Sequence, residues 1–149
     1  MRIGLRAAVP AAVAAAAIAV PGWAHSKKWV APAEAVARAN PVPAGAEPVA
    51  RGRVLYTEHC EPCHGPKGKG DGPEAKPGHE APHDLSDPTL QKRLTDGEIL
   101  WKVTEGRTDG GHVLMPGFAG DIPSEEDRWK VVHYVRTLKG SAPAKPHAH

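Results

Sequence analysis

The chain has 149 residues, with 19 Lys and Arg against 17 Asp and Glu, and 40% of it is hydrophobic. That length suits one domain and argues against a second folded unit. The near balance of charge and the lack of any basic run argue against a nucleic-acid surface, and removal of Arg2 and Arg6 with a leader would leave both signs at 17.

Arg2 and Arg6 precede an alanine-rich apolar run over residues 7–20, interrupted by Pro10 and followed by Pro21-Gly22-Trp23-Ala24. A charged start, an apolar stretch and small residues before a cut are the pattern of a secretory signal peptide. The run is short of the roughly 20 residues that span a bilayer. Residues 1–24 are therefore expected to direct export, with cleavage after Ala24 and a periplasmic location. A retained membrane anchor is the alternative, and no cysteine near the cut offers a lipid anchor.

Residues 25–47 carry Pro32, Pro41 and Pro43 among many alanines, without a sustained helical period, and read as a linker or an arm on the domain surface. The folded domain is expected over residues 48–140, and residues 141–149 read as a solvated tail. Within the domain, a helix is expected from Pro48 to His59, with Val49, Gly52, Tyr56 and Cys60 on one face. A second helix opens at Thr95-Asp96-Gly97-Glu98, a capping-box pattern, presents Ile99, Leu100 and Val103, and stops at Gly106. A third begins at Ser124-Glu125-Glu126-Asp127, whose acidic turn suits the helix dipole, and presents Trp129, Val132, Val135 and Leu138. No stretch alternates as a strand does, so the expected fold class is all-α, with Gly- and Pro-rich loops. Its few aromatic residues leave space that a large apolar cofactor would fill.

The only two cysteines, Cys60 and Cys63, stand in His59-Cys60-Glu61-Pro62-Cys63-His64-Gly65. A structural zinc site needs four ligands, and too few are close together. A thioredoxin-like dithiol would follow a strand, and none is expected here. A disulfide across two residues closes too small a loop to stabilise much. The pattern Cys-x-x-Cys-His instead fits covalent haem attachment: both thiols form thioethers with the vinyl groups, and His64 becomes the proximal iron ligand. On a helical turn, residues three apart share a face, which matches two vinyls on one side of a porphyrin.

With "CEPCHG" after a helix bearing Gly52 and Tyr56, then "LMPGF", then "SEEDRWKVVHYVRTL", the chain resembles the class I c-type cytochromes of the bacterial monohaem kind. The resemblance covers residues 49–139. It implies a small cytochrome c fold of three main helices around one haem c. It also implies a close crossing of the first and last helices, Gly52 and Tyr56 meeting Trp129 or Tyr134.

Met115 stands where that family places its second iron ligand, and it is the only methionine left once Met1 is removed. Its thioether, paired with histidine, would raise the reduction potential; a core gap-filler is the plainer alternative. His112, in the same loop, is the rival ligand. A proline carbonyl, from Pro77 or Pro82, is expected to orient His64. His79 and His83 read as exposed loop residues, and His59 as solvent-facing. His25, His147 and His149 read as solvated, although an N-terminal His25 could chelate copper. Lys67, Lys69 and Lys76 flank the motif and could steer a partner, but acidic neighbours dilute the patch.

The resemblance implies an electron carrier rather than an enzyme, shuttling one electron between periplasmic redox proteins. Dehydrogenases are plausible donors, and oxidases or reductases plausible acceptors. The alternatives are a haem enzyme or sensor with an open distal site, peroxidase-like or gas-binding, and a haem subunit of a larger periplasmic oxidoreductase complex. No nucleic-acid partner is expected, nor stable membrane insertion after cleavage.

Overall fold

The computed structural model describes residues 29–75 and 80–141. The leader, the start of the arm and most of the tail lie outside the described residues, as do Pro77 and His79. The chain begins with a single-turn helix, α1 (Ala33–Val36), whose first amides bond Pro32 O at 3.0 Å. It then forms α2 (Ala46–His59), a turn α3 (Glu61–His64), α4 (Pro88–Arg93), α5 (Asp96–Glu105), strands β1 (Arg107–Asp109) and β2 (His112–Met115), and α6 (Glu125–Thr137). The architecture is small and mostly helical, with a two-stranded hairpin set into one loop.

Two of the expected helices start where their caps are. Thr95 Oγ1 accepts from Glu98 N at 3.1 Å, and Ser124 Oγ accepts from Asp127 N at 3.2 Å, each supplying an acceptor to an otherwise unbonded first-turn amide. Glu98 completes no reciprocal box; its carboxylate pairs with Lys102 at 3.3 Å one turn on. Helix α2 starts at Ala46, so Pro48 takes the third helical position rather than the first. An amide there would have had no partner within the helix, so proline is accommodated without loss.

Helices α2 and α6 cross at the expected residues. A Cβ on Gly52 would fall on Lys130 O and lie 3.1 Å from Tyr134 Cβ, so only glycine lets the backbones approach this closely. Tyr56 and Tyr134 stack beside that point, with ring centroids 5.0 Å apart and planes tilted by 55°. Tyr134, not Trp129, is thus the aromatic partner at the crossing. Trp129 is buried in the core with Leu55, Tyr56, Cys60, Ile99, Leu100, Val103, Phe118, Ile122, Val131, Val132, Val135 and Leu138.

The hairpin corrects the expectation of no strands. β1 and β2 pair antiparallel, with Asp109 opposite His112, Thr108 opposite Val113 and Arg107 opposite Met115. The register shift leaves Leu114 bulged, the kind of irregularity that turns the following side chain. Three- and four-residue strands are too short to show alternation, but Gly110-Gly111, at φ 54 and 83, was a legible hairpin turn.

Residues 29–42 lie along α5 and α6. Thr95 Oγ1 donates to Val36 O at 2.8 Å, Asn40 Nδ2 donates to Trp129 O at 3.1 Å, and His133 Nε2 lies 2.8 Å from Val42 O. Arg38 reaches the start of α6 through Glu125 at 2.5 Å. Among the described residues no helix is long and apolar enough to cross a membrane.

Candidate functional site

Cys60 ends α2 and begins α3. Its amide still bonds Tyr56 O at 2.8 Å, but its φ of −112° breaks the helix, and its carbonyl accepts from Cys63 N and His64 N at 3.2 and 2.8 Å. The motif therefore occupies one tight turn, with Cys60 and Cys63 on the same side. The buried Tyr56 hydroxyl donates to Gly65 O at 2.7 Å and pins the far end of that turn to α2.

Cys60 is a member of the apolar core cluster, and Cys63 is half-buried. Burial, with Cys63 beside it, pushes the Cys60 thiol up to about 12, so it stays protonated at neutral pH. A protonated thiol suits neither metal-thiolate ligation nor rapid disulfide exchange. Among the described residues no group of three or more His, Cys, Asp or Glu is placed to hold a metal ion by itself.

His64 is half-buried, and burial holds its imidazole below the ordinary histidine value, against the opposing pull of its backbone acceptor. That acceptor is His83 O, 3.3 Å from Nδ1. With Nδ1–H donating there, the neutral ring keeps Nε2 available as a ligand atom. The expected proline carbonyl is corrected by one residue: Pro82 O is turned onto Gly70, where a Cβ would strike it. Nothing in the side chain of His83 marks its backbone as the acceptor, so residue identity could not have found it.

Met115 closes β2, half-buried against the same cluster that contains Cys60. The segment after it is stitched to α5: Phe118 N bonds Val103 O at 2.9 Å, and Gly106 packs so tightly that a Cβ there would meet Met115 O, Pro116 C and Gly117 N. Gly106 also has φ 67, so two constraints require glycine at the end of α5. Phe118 is buried with its ring 5.8 Å from that of His59, directly before Cys60. His59 is therefore half-buried against Phe118 rather than facing solvent. This contact brings "HCEPCHG" and "LMPGF" together.

The other candidates stand apart. His112 is exposed at the turn end of the hairpin, beside Asp109. His83 has an exposed ring, 6.4 Å from that of Trp29. Lys69 pairs with Asp84 at 3.6 Å, tying together the loops on either side of the undescribed stretch. Lys67 is half-buried, and Lys76, His25, His147 and His149 lie outside the described residues. Sequence reasoning also missed Trp29, which packs on Gly106 and Lys102, and Arg128, a buried guanidinium.

A buried thiol beside a second one, a neutral imidazole with Nδ1 committed, and a thioether against the same apolar cluster form a donor set that fits a haem. Comparisons with known proteins agree. Residues 47–135 match the family model described as cytochrome C oxidase, cbb3-type, subunit III. Among solved structures, the chain is similar to a chain of the Kuenenia stuttgartiensis reducing HAO-like protein complex Kustc0457/Kustc0458. The two are 27% identical with a TM-score of 0.55, over 66% of this chain and 47% of that one. It thus spans about half the length of that relative. A second structure, the KustC0563 c-type cytochrome, is 25% identical with a TM-score of 0.46, over 59% of this chain and 96% of that one. No curated protein matches.

Proposed function

Since the chain belongs to the cytochrome c oxidase, cbb3-type, subunit III family of class I c-type cytochromes, with haem c as its cofactor, we propose that it is a monohaem electron carrier of the periplasm. In this reading residues 1–24 are a cleaved signal, residues 25–47 an arm, residues 48–140 the cytochrome domain and residues 141–149 a tail. Cys60 and Cys63 would hold the haem through thioethers, with His64 and Met115 as its axial ligands.

When bound, haem c supplies a reversible one-electron change at iron. The chain's residues do the rest. The His83 carbonyl fixes the tautomer of His64, and the bulged hairpin presents Met115 from a segment anchored at both ends. The apolar cluster around Cys60 and Phe118 excludes water and so disfavours extra positive charge. His64 and Met115 would both hold the iron, which favours a carrier over a haem enzyme or sensor with an open site. Redox partners of this kind meet through small, short-lived interfaces. The observation that carries the reading is the ring contact between His59 and Phe118, which joins the attachment motif to the methionine segment.

Absorption spectra of the ferric and ferrous protein, with Met115→Ala alongside, test it. We expect a low-spin ferric spectrum that turns high-spin on loss of Met115. A high-spin parent, or no change in the variant, would sink the His/Met assignment. The haem should also stay with the polypeptide in acidic organic solvent.

A second reading, as a haem subunit of a larger oxidoreductase, is favoured by the likeness to part of a chain from a multiprotein complex. Gel filtration and co-purification from the source separate the two, a free carrier eluting alone at monomer size.

A further inference from the structure

The arm carries a side chain that touches both the loop facing His64 and the turn that backs Met115. Trp29 Nε1 donates to Gly106 O at 2.9 Å, and Lys102 Nζ lies 4.0 Å from its ring centroid while donating to Trp29 O at 2.8 Å. The Arg107 guanidinium is 5.8 Å from the same ring and pairs with Glu80 at 2.6 Å. The indole also lies near the His83 ring, with centroids 6.4 Å apart. Gly106 is the residue whose backbone abuts Met115 O, and Arg107 is the strand partner of Met115. His83 supplies the carbonyl facing His64.

We propose that Trp29 is a positioning residue for the axial pair, a clasp joining the loop that orients His64 to the turn that backs Met115. The proposal rests on the reading of His64 and Met115 as ligands. It assigns a role outside the family match, which begins at residue 47. A ligand segment held at one end swings away more readily than one held at both. The indole N–H bond and the ring's contact with Lys102 hold the Gly106 turn, while Arg107–Glu80 and the His83 contact hold the facing loop to it. Loss of the indole should therefore let a competing ligand displace the thioether more easily.

The test uses the haem-loaded protein and follows the far-red absorption band of thioether-ligated ferric iron as pH rises. Trp29→Ala should lower the midpoint of band loss by roughly one pH unit, the scale set by one hydrogen bond and one cation–π contact. Trp29→Phe, which keeps the ring and loses the N–H, should fall between, and it carries the test if the alanine variant does not accumulate. The reduction potential should drop in the same order. Arg38→Ala loosens the same arm at α6 without touching either ligand-bearing loop, and should leave the midpoint in place. An unmoved midpoint in the Trp29 variants, or an equal shift in Arg38→Ala, overturns the clasp alone. No band in the parent, or a band that survives Met115→Ala, overturns the ligand reading and the clasp with it.

Discussion

Arg128 is 7% exposed, and carbonyls partner only part of its guanidinium: Nη1 donates to Ile122 O at 2.5 Å and to Pro123 O at 3.2 Å, while Nε has no partner. Those carbonyls belong to the turn between Phe118 and α6, so the charge holds the end of the methionine segment against the last helix. Removing it leaves the buried Ile122 O unpaired, and an unmade buried bond costs more than the bond itself contributes. Arg128→Leu should destabilise the haem-loaded protein by about 2–3 kcal/mol, read as a lower guanidinium chloride midpoint. Arg128→Lys should recover part of this, since an ammonium keeps donors for these carbonyls but lacks the planar, preorganised guanidinium. A leucine variant with the parent midpoint would count against the role. At this scale the sequence pointed to candidates by side-chain chemistry, Cys60, Cys63, His64 and Met115, because thiol, imidazole and thioether donors are few. It did not reveal roles carried by the backbone, such as the His83 carbonyl or the two carbonyls under Arg128. Any residue can present a carbonyl, and only the folded chain decides which one does.

Among the elements, the crossing of α2 and α6 positions the attachment turn, because Tyr56 both packs on Tyr134 and ties down Gly65. Gly52→Ala sets two effects against each other. Alanine favours a helix over glycine by about 1 kcal/mol, whereas its methyl would fall on Lys130 O and force the helices apart, which costs about 1–3 kcal/mol or more. The obstacle is backbone rather than a flexible tip, so the steric term should win and the variant should melt below the parent. Gly120→Ala is the control, since a methyl there meets nothing within 4 Å, and it should melt with the parent. Equal melting of all three would mean the crossing is not tight. Helices α5 and α6 were legible because the caps at Thr95 and Ser124, the stop at Gly106 and their apolar faces agree with one another, whereas the short α1 and α4 were not expected. The strands of the hairpin were not legible, because three and four residues are too few to show a period, although Gly110-Gly111 marked its turn. The docking of Trp29 was hidden for a related reason: a lone aromatic in a Pro- and Ala-rich stretch shows no periodicity from which a contact could be read.

For the whole molecule, the core cluster among the described residues includes Cys60, with Met115, Leu94, Leu85, Val42 and Tyr134 only partly buried around it. A domain this small buries a modest share of its chain surface, and its net stability is a small difference between large terms. The segments that bear the candidate ligands, the Gly-rich loop after His64 and the strand ending at Met115, contribute little to that cluster themselves. A cofactor attached at Cys60 and ligated from both segments would close long loops and give them an apolar surface to pack on, stabilising the folded chain by binding it alone. Cys60→Ala/Cys63→Ala, exported without attached haem, should therefore keep helical far-ultraviolet circular dichroism but lose fixed aromatic signals and a sharp melting transition. The parent should melt cooperatively at a temperature higher by tens of degrees, as about 1 kcal/mol shifts a domain of this size by roughly 4–8 °C and several are at stake. Single-site controls at Arg38 and Gly120 should retain the cooperative transition, which separates loss of the cofactor from ordinary surface damage. A haem-free double variant that melted as sharply and as high as the parent would show that α2, α5 and α6 hold the fold alone, leaving the cofactor a passenger in a finished core.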